Sequence, residues 1–302
     1  MDGRARLILI IVTGVFSAAS CDHFEDSSLP VAPVSWIDGD VMRRVSRASP
    51  LPKVPSDPTN KYADDPRAAQ FGQWLFHDQR LSGTGSFSCA SCHDPEKQFT
   101  DGLPRANTIR EGARHTQSLI NVAHQNWVTW DGGSDSLWSH ALRPMENPDE
   151  MNGDRLSFVH LIASDEALRT AYEDVFGPID IDVKSLPLHG RPGKNPKLAQ
   201  AWESLTPEVK DKVMVLMANV GKAMAAYQRL LISGETPFDR YVQAYKSGRT
   251  TEGILSPSAE RGMNLFFGRG ECWECHTGPL FSDGEFHNIG LLVFDHSCCG
   301  VI

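Results

Sequence analysis

The chain has 302 residues, of which 40% are hydrophobic and 22% charged, and its formal net charge is −9. This describes a globular protein of about two domains and excludes the basic footprint of a nucleic-acid binder. An acidic balance suits a basic protein partner.

The first twenty residues read as an export signal. Arg4 and Arg6 precede an apolar run, residues 7–16, that is too short to span a bilayer. Ala18, Ala19 and Ser20 are small and lead to Cys21. Two outcomes stay open: simple cleavage nearby, or a lipoprotein box with Cys21 as the lipidated first residue. Both predict a periplasmic chain, with membrane contact only through a lipid at Cys21. No later segment is apolar enough to be transmembrane. Residues 21–62 are rich in Pro, Ser and Asp and are predicted to be an extended lead-in.

A helix is expected from Pro66 to about His77, capped by Asp64 or Asp65. The small, polar loop 82–88 follows. Helical patterns cover 135–142, 154–163 and 165–176, the last two opening on Asp as cap. Residues 187–197 contain three Pro and two Gly and read as a loop. Thr206-Pro207 opens a long helix in which Val213, Leu216, Met217, Val220, Met224, Tyr227, Leu230 and Leu231 recur at helical spacing. Its methionines read as core fillers, and Gly234 is expected to end it. Ser256-Pro257 opens another helix. No period-two strand pattern is visible, so the chain is mostly α.

Two C-x-x-C-H motifs carry the chemistry: Cys89-Ala-Ser-Cys92-His93 and Cys272-Trp-Glu-Cys275-His276. Thiols at this spacing can add to the two vinyl groups of one haem, and the adjacent His can ligate its iron. The flanks repeat. Phe71, Gly72, Leu75 and Phe76 precede the first motif and Phe99, Asp101 and Gly102 follow it. Arg261, Gly262, Leu265 and Phe266 precede the second and Phe281, Asp283 and Gly284 follow it. Such a repeat fits two related domains and two covalently bound c-type haems. The alternatives are disulfides, which an exported protein could use, and zinc, which would need the two distant motifs to converge.

The stretches CASCHDPEKQFTDG, TWDGGSDSL, RPMENPDEM and FHNIGL are similar to those of the bacterial diheme cytochrome c peroxidases. That family includes the methylamine-utilisation diheme enzyme, which oxidises tryptophan in a partner protein. The resemblance covers about residues 63–290. It implies two cytochrome c-like haem domains: a peroxidatic one at 63–205, and an electron-input one at 206–302. It implies that His93 is the proximal ligand of the peroxidatic haem and His276 that of the electron-input haem. It further implies that Glu150 is the distal acid–base carboxylate and Trp130 the tryptophan between the haems. Heterolysis of peroxide moves a proton from the inner to the leaving oxygen, which suits a carboxyl group at Glu150. The implied partners are hydrogen peroxide and a small donor protein, a c-type cytochrome or a cupredoxin.

The chain departs from the family in four places. His140 stands where the family has Gln, ten positions before Glu150. It could hydrogen-bond peroxide, shuttle its proton, or ligate the iron and block the site. Residues 101–113 contain no His, although many members cap the first iron with one from this loop. That predicts an open, ready site; the alternative is a substitute ligand, His115 or His124, each of which reads first as a structural histidine. His115 replaces an Asn of the family's interdomain calcium site, which speaks against calcium there, since calcium prefers oxygen ligands. Beyond Gly290 the family usually continues for several tens of residues and supplies the second haem's distal ligand. Here the sequence ends in a tail with adjacent Cys298 and Cys299, which resembles a frameshift or truncated gene and predicts an incomplete second domain. His296 is a candidate ligand there.

Three functions follow as expectations: a peroxidase, an oxidase that modifies Trp or Tyr of a partner protein, or a non-enzymatic electron carrier.

Overall fold

In the computed structural model of the protein, residues 38–290 are described, and all belong to one compact unit, 37–302. The export signal, Cys21, His296, Cys298 and Cys299 lie outside the described residues. The described residues are helical, with two isolated β-bridges, Asp94–Thr100 and Val128–Ser134, and no strand. None of their helices is long and apolar enough to cross a membrane.

Ten α-helices are described: α1 (Gly39–Arg47), α2 (Pro66–His77), α3 (Cys89–Cys92), α4 (Leu137–Glu146), α5 (Arg155–Ser164), α6 (Glu166–Phe176), α7 (Pro196–Glu203), α8 (Pro207–Gln228), α9 (Pro237–Lys246) and α10 (Pro257–Phe267). Asp65, Asp154, Asp165, Thr206 and Ser256 cap α2, α5, α6, α8 and α10 with their side chains, which meet orphan N–H groups of the first turn.

The apolar faces assemble into two main cores. The first joins α2, α4, α5, α6 and α8 around Phe71, Phe76, Met145, Phe158, Leu216 and Met224. Two glycines let the helices meet. A Cβ at Gly72 would collide with the carbonyl of Ala223, and one at Gly221 with that of Trp138. Helix α8, which the sequence reading assigns to the second domain, therefore packs as the centre of the first core. It ends at Gln228, short of Gly234, and Leu230 is left exposed beyond it.

The second core is smaller. Val41, Met42, Val45 and Ala48 pack on Tyr241, Val242, Met263 and Phe267. Thus part of the expected extended lead-in is helix α1, which completes the second core together with α9 and α10. Arg44 adds to this by donating from Nη1 to the Phe267 carbonyl (2.8 Å) and lying 4.1 Å from the Trp273 ring centroid. The chain between α1 and α2 is tied down by buried Arg229, which pairs with Asp64 (2.8 Å) and donates to the carbonyls of Pro55 and Ala63.

Candidate functional site

The first C-x-x-C-H motif forms the short helix α3, capped by Ser88 in a reciprocal box with Ser91. The chain then turns sharply. Phe99 takes φ 56°, and its carbonyl accepts from His93 Nδ1 at 3.0 Å. A carbonyl can only accept, so Nδ1 carries the proton and Nε2 keeps its lone pair. That is the tautomer an iron ligand needs, with its orientation fixed by the second nitrogen. Phe76 of α2 lies against the His93 ring, 6.5 Å between centroids.

The second motif repeats this geometry. Phe281 takes φ 52° and accepts from His276 Nδ1 at 3.1 Å, and Phe266 of α10 stands 6.2 Å from the His276 ring. Gly102 and Gly284 follow at φ 72° and 74°. The repeat seen in sequence is thus a repeat in backbone conformation and hydrogen bonding.

The two centres differ in enclosure. Burial pushes the Cys89 thiol up to about 12; burial, then Asp101 and Glu150, pushes Cys92 up to about 11. Cys272 and Cys275 are exposed. Burial also lowers the His93 pKa, against the opposing pull of the Phe99 and Gln117 backbones and Asp101, which keeps the ring neutral and able to ligate.

A cavity of about 860 Å³ is lined by Cys89, Cys92 and His93 on one side and by Trp130, His140, Arg143, Pro144, Asn147 and Glu150 on others. Glu150 is half-buried, and burial raises its pKa although Asn147 donates to Oε1 from Nδ2 and Arg143 stands near. His140 sits on α4 with Nδ1 3.4 Å from Ser134 Oγ. Burial first, then Arg143 and His93, lower its pKa to about 4, so it is neutral at pH 7. Arg143 donates to Ser134 Oγ and to the Gly133 carbonyl, both at 2.9 Å.

Trp130 is held by a hydrogen bond from Nε1 to the His115 carbonyl (2.9 Å) and by the His115 ring at 4.8 Å. It borders both this cavity and a larger one of about 1160 Å³ that reaches Ala48 and Val242 of the second core, where Phe281 and Phe286 also stand. His115 packs on Trp130, while His124 faces the larger cavity.

The structure therefore gathers Cys89, Cys92, His93, Trp130, His140 and Glu150 around one space and places Cys272, Cys275 and His276 at a second centre. Sequence reasoning missed Asn147, Arg143 and Ser134. All three left a signal: Arg143 and Asn147 stand in the RPMENPDEM stretch and Ser134 in TWDGGSDSL.

The residues fit two c-type haems: a thiol pair with a correctly protonated His at each centre, and at the first a cavity of the size usual for cofactors. They do not fit a shared zinc site. Among the described residues the only His, Cys and carboxylate group close enough to hold a metal is Cys275, Asp283 and His287, which uses the second motif alone. The four motif cysteines are free thiols, not disulfides.

The family model for di-haem cytochrome c peroxidase matches residues 66–247. The chain belongs to this family. The di-haem family accounts for two c-type haems and for enzymatic oxidoreductase chemistry. Methylamine utilization protein MauG of Methylorubrum extorquens is 30% identical over 288 residues, covering 94% of this chain and 68% of that protein. Cytochrome-c peroxidase IdrP1 of Denitromonas iodatirespirans is 32% identical over 246 residues, 80% of this chain and 54% of that one. The crystal structure of the diheme peroxidase BthA from Burkholderia thailandensis superposes with a TM-score of 0.55 at 25% identity, covering 78% of this chain and 58% of that one. The chain thus spans between about half and two thirds of the length of these di-haem relatives.

Proposed function

We propose that this chain reduces hydrogen peroxide to water with electrons from a small redox protein, a c-type cytochrome or a cupredoxin. The observation that carries this reading is Glu150: a half-buried carboxyl of raised pKa opening on the cavity that His93 lines. When bound, the haems supply the redox chemistry. The side chains handle protons and orientation. His93, its Nδ1 held by Phe99, offers Nε2 as the proximal ligand. Glu150 takes the proton from the inner peroxide oxygen and returns it to the outer one, so the leaving group departs as water. Asn147 holds the carboxyl in place through Oε1. Neutral His140 faces the same space and serves as a hydrogen-bonding partner for peroxide. Two electrons and two further protons complete the second water.

Electrons enter at the open His276 centre, and Trp130 serves as relay in this reading: it borders the first cavity and shares the larger one with Phe281, the hydrogen-bond acceptor of His276. The loop 101–113 offers no imidazole, so the first centre is ready for peroxide without prior reduction of the second. A resting spectrum with only low-spin iron would remove that element. The exported location and a lipid on Cys21 belong to the same proposal; peptide mass mapping of the mature N-terminus tests both.

A second reading, oxidation of Trp or Tyr in a partner protein, is supported by the similarity to methylamine utilization proteins, which match about as well as the peroxidases do. Mixing the reduced protein with peroxide, with and without a reduced donor, separates the readings. Rapid donor oxidation supports the peroxidase. A persistent oxidised spectrum with poor donor turnover supports the second reading. An unreactive protein leaves an electron carrier.

A further inference from the structure

Four arginines line the cavity of the first centre: Arg114, Arg143, Arg155 and Arg191. Three are engaged. Arg114 pairs with Asp131 at 3.5 Å. Arg143 donates to the Gly133 carbonyl and Ser134 Oγ. Arg155 forms a two-pronged pair with Glu146, 2.9 Å from Nε and 2.6 Å from Nη2. Arg191 differs. Its guanidinium has no ion pair and no hydrogen bond among the described residues, and its Nε is sealed from solvent without an acceptor.

A guanidinium donor shut away from water with nothing to receive its proton is unfavourable, and more so than a neutral one. Nε has no exposed surface even with the cavity empty, so a ligand there would meet the guanidinium through its Nη groups, which have no acceptor among the described residues. The wall that holds Arg191 is itself built firmly. Buried Asp154 caps α5, accepts from the Gly190 N–H at 2.8 Å and pairs with His189 at 2.9 Å. Gly190 has no room for a Cβ beside Leu156. The residue before Arg191 is therefore pinned on both sides, and the proline- and glycine-rich loop 187–197 acquires a role the sequence did not show.

We infer that Arg191 is the carboxylate-binding residue of the first centre and takes a propionate of the haem attached at Cys89 and Cys92. A c-type haem brings two carboxylates into a cavity whose other arginines are already engaged, and a planar guanidinium is the group best matched to a carboxylate. The inference rests on the haem reading of this cavity, not on peroxide reduction.

The test uses the exported full chain, purified with a mass showing both haems attached. Arg191→Gln removes the cation. The midpoint potential of the first haem falls, because a lost positive charge favours the oxidised iron, while that of the second stays put. The propionate bending bands in the resonance Raman spectrum shift for one haem only. Arg191→Lys restores the potential but not the bands, since an ammonium binds as a point charge. Arg155→Gln serves as the control that removes a different arginine from the same wall. Unchanged potential and unchanged bands in Arg191→Gln, or equal effects on both haems, would overturn the assignment. Turnover is not read, so a failure of the peroxidase reading leaves this result standing.

Discussion

His93 donates from Nδ1 to the carbonyl of Phe99, a phenylalanine held at φ 56° in the left-handed region that bulky residues avoid. His276 and Phe281 stand in the same relationship, with φ 52°. A strained backbone at matching points of two motifs is what fixes the imidazole tautomer at each centre. Proline cannot adopt this φ, and the Phe99 N–H is already bonded to the Asp94 carbonyl. Phe99→Pro should cost about 3 kcal/mol or more. Denaturant unfolding of the variant checks this, and haem content by pyridine haemochrome should fall at the first centre only.

Glu150→Gln keeps the shape and the burial but cannot carry a proton between oxygens. Peroxide reduction should fall by about 10²- to 10⁴-fold with both haems retained. The wild-type rate should decline as pH falls through a carboxyl pKa above the ordinary 4.5, and the variant should lose that limb. The stability effect has the opposite sense. A folded pKa raised above the unfolded value contributes stability at low pH that disappears as pH rises through the folded pKa. Relative to wild type, Glu150→Gln should therefore gain stability as pH rises from about 4.5, as urea titrations at several pH values would show.

His140 behaves in reverse, with a folded pKa depressed to about 4 from 6.5 by burial and then by Arg143 and His93. It contributes stability that is complete above pH 6.5 and lost as pH falls to about 4. The full loss is on the order of 3 kcal/mol. His140→Gln should flatten the stability profile between those limits. No change in the profile would show that the imidazole is not buried as described.

Trp130→Phe should leave the initial reaction with peroxide intact and slow reduction of the first haem by the second. A barrier raised by about 1.4 kcal/mol gives a tenfold slower step. Stopped-flow absorbance, following each haem separately, measures it.

Met42→Ala removes a side chain from the α1 face that packs on α9 and α10. Destabilisation of about 2–5 kcal/mol is expected, felt at the second haem and not the first. Site-resolved hydrogen exchange would locate it.

The parts of this architecture written in local chemistry were legible in the sequence. Asp65-Pro66 and Thr206-Pro207 announce α2 and α8, and each C-x-x-C-H announces its centre. What lay hidden depends on distant partners. Helix α1 contributes only Val41, Met42 and Val45 as buried side chains, too few to stand out between proline-rich stretches. The end of α8 was misplaced because Leu230 and Leu231 continue its periodicity beyond Gln228, where the chain turns and Arg229 reaches back to Asp64. Arg191 sits in a loop whose composition says only that it bends. The proposed roles of Glu150 and Trp130, which both line the cavity, rest on flanking pattern, since a single Glu or Trp carries no local signature.

The union of α1 with α9 and α10 also bears on the order of assembly. Residues 66–228 hold the elements of the first core and can close as soon as α8 has been delivered. The second core must wait, its opening helix unpartnered, until α9 and α10 follow. The His93 centre can therefore be loaded in a finished pocket while the His276 centre is still open chain. A haem ligase would meet the two motifs in different states, one sheltered and one accessible.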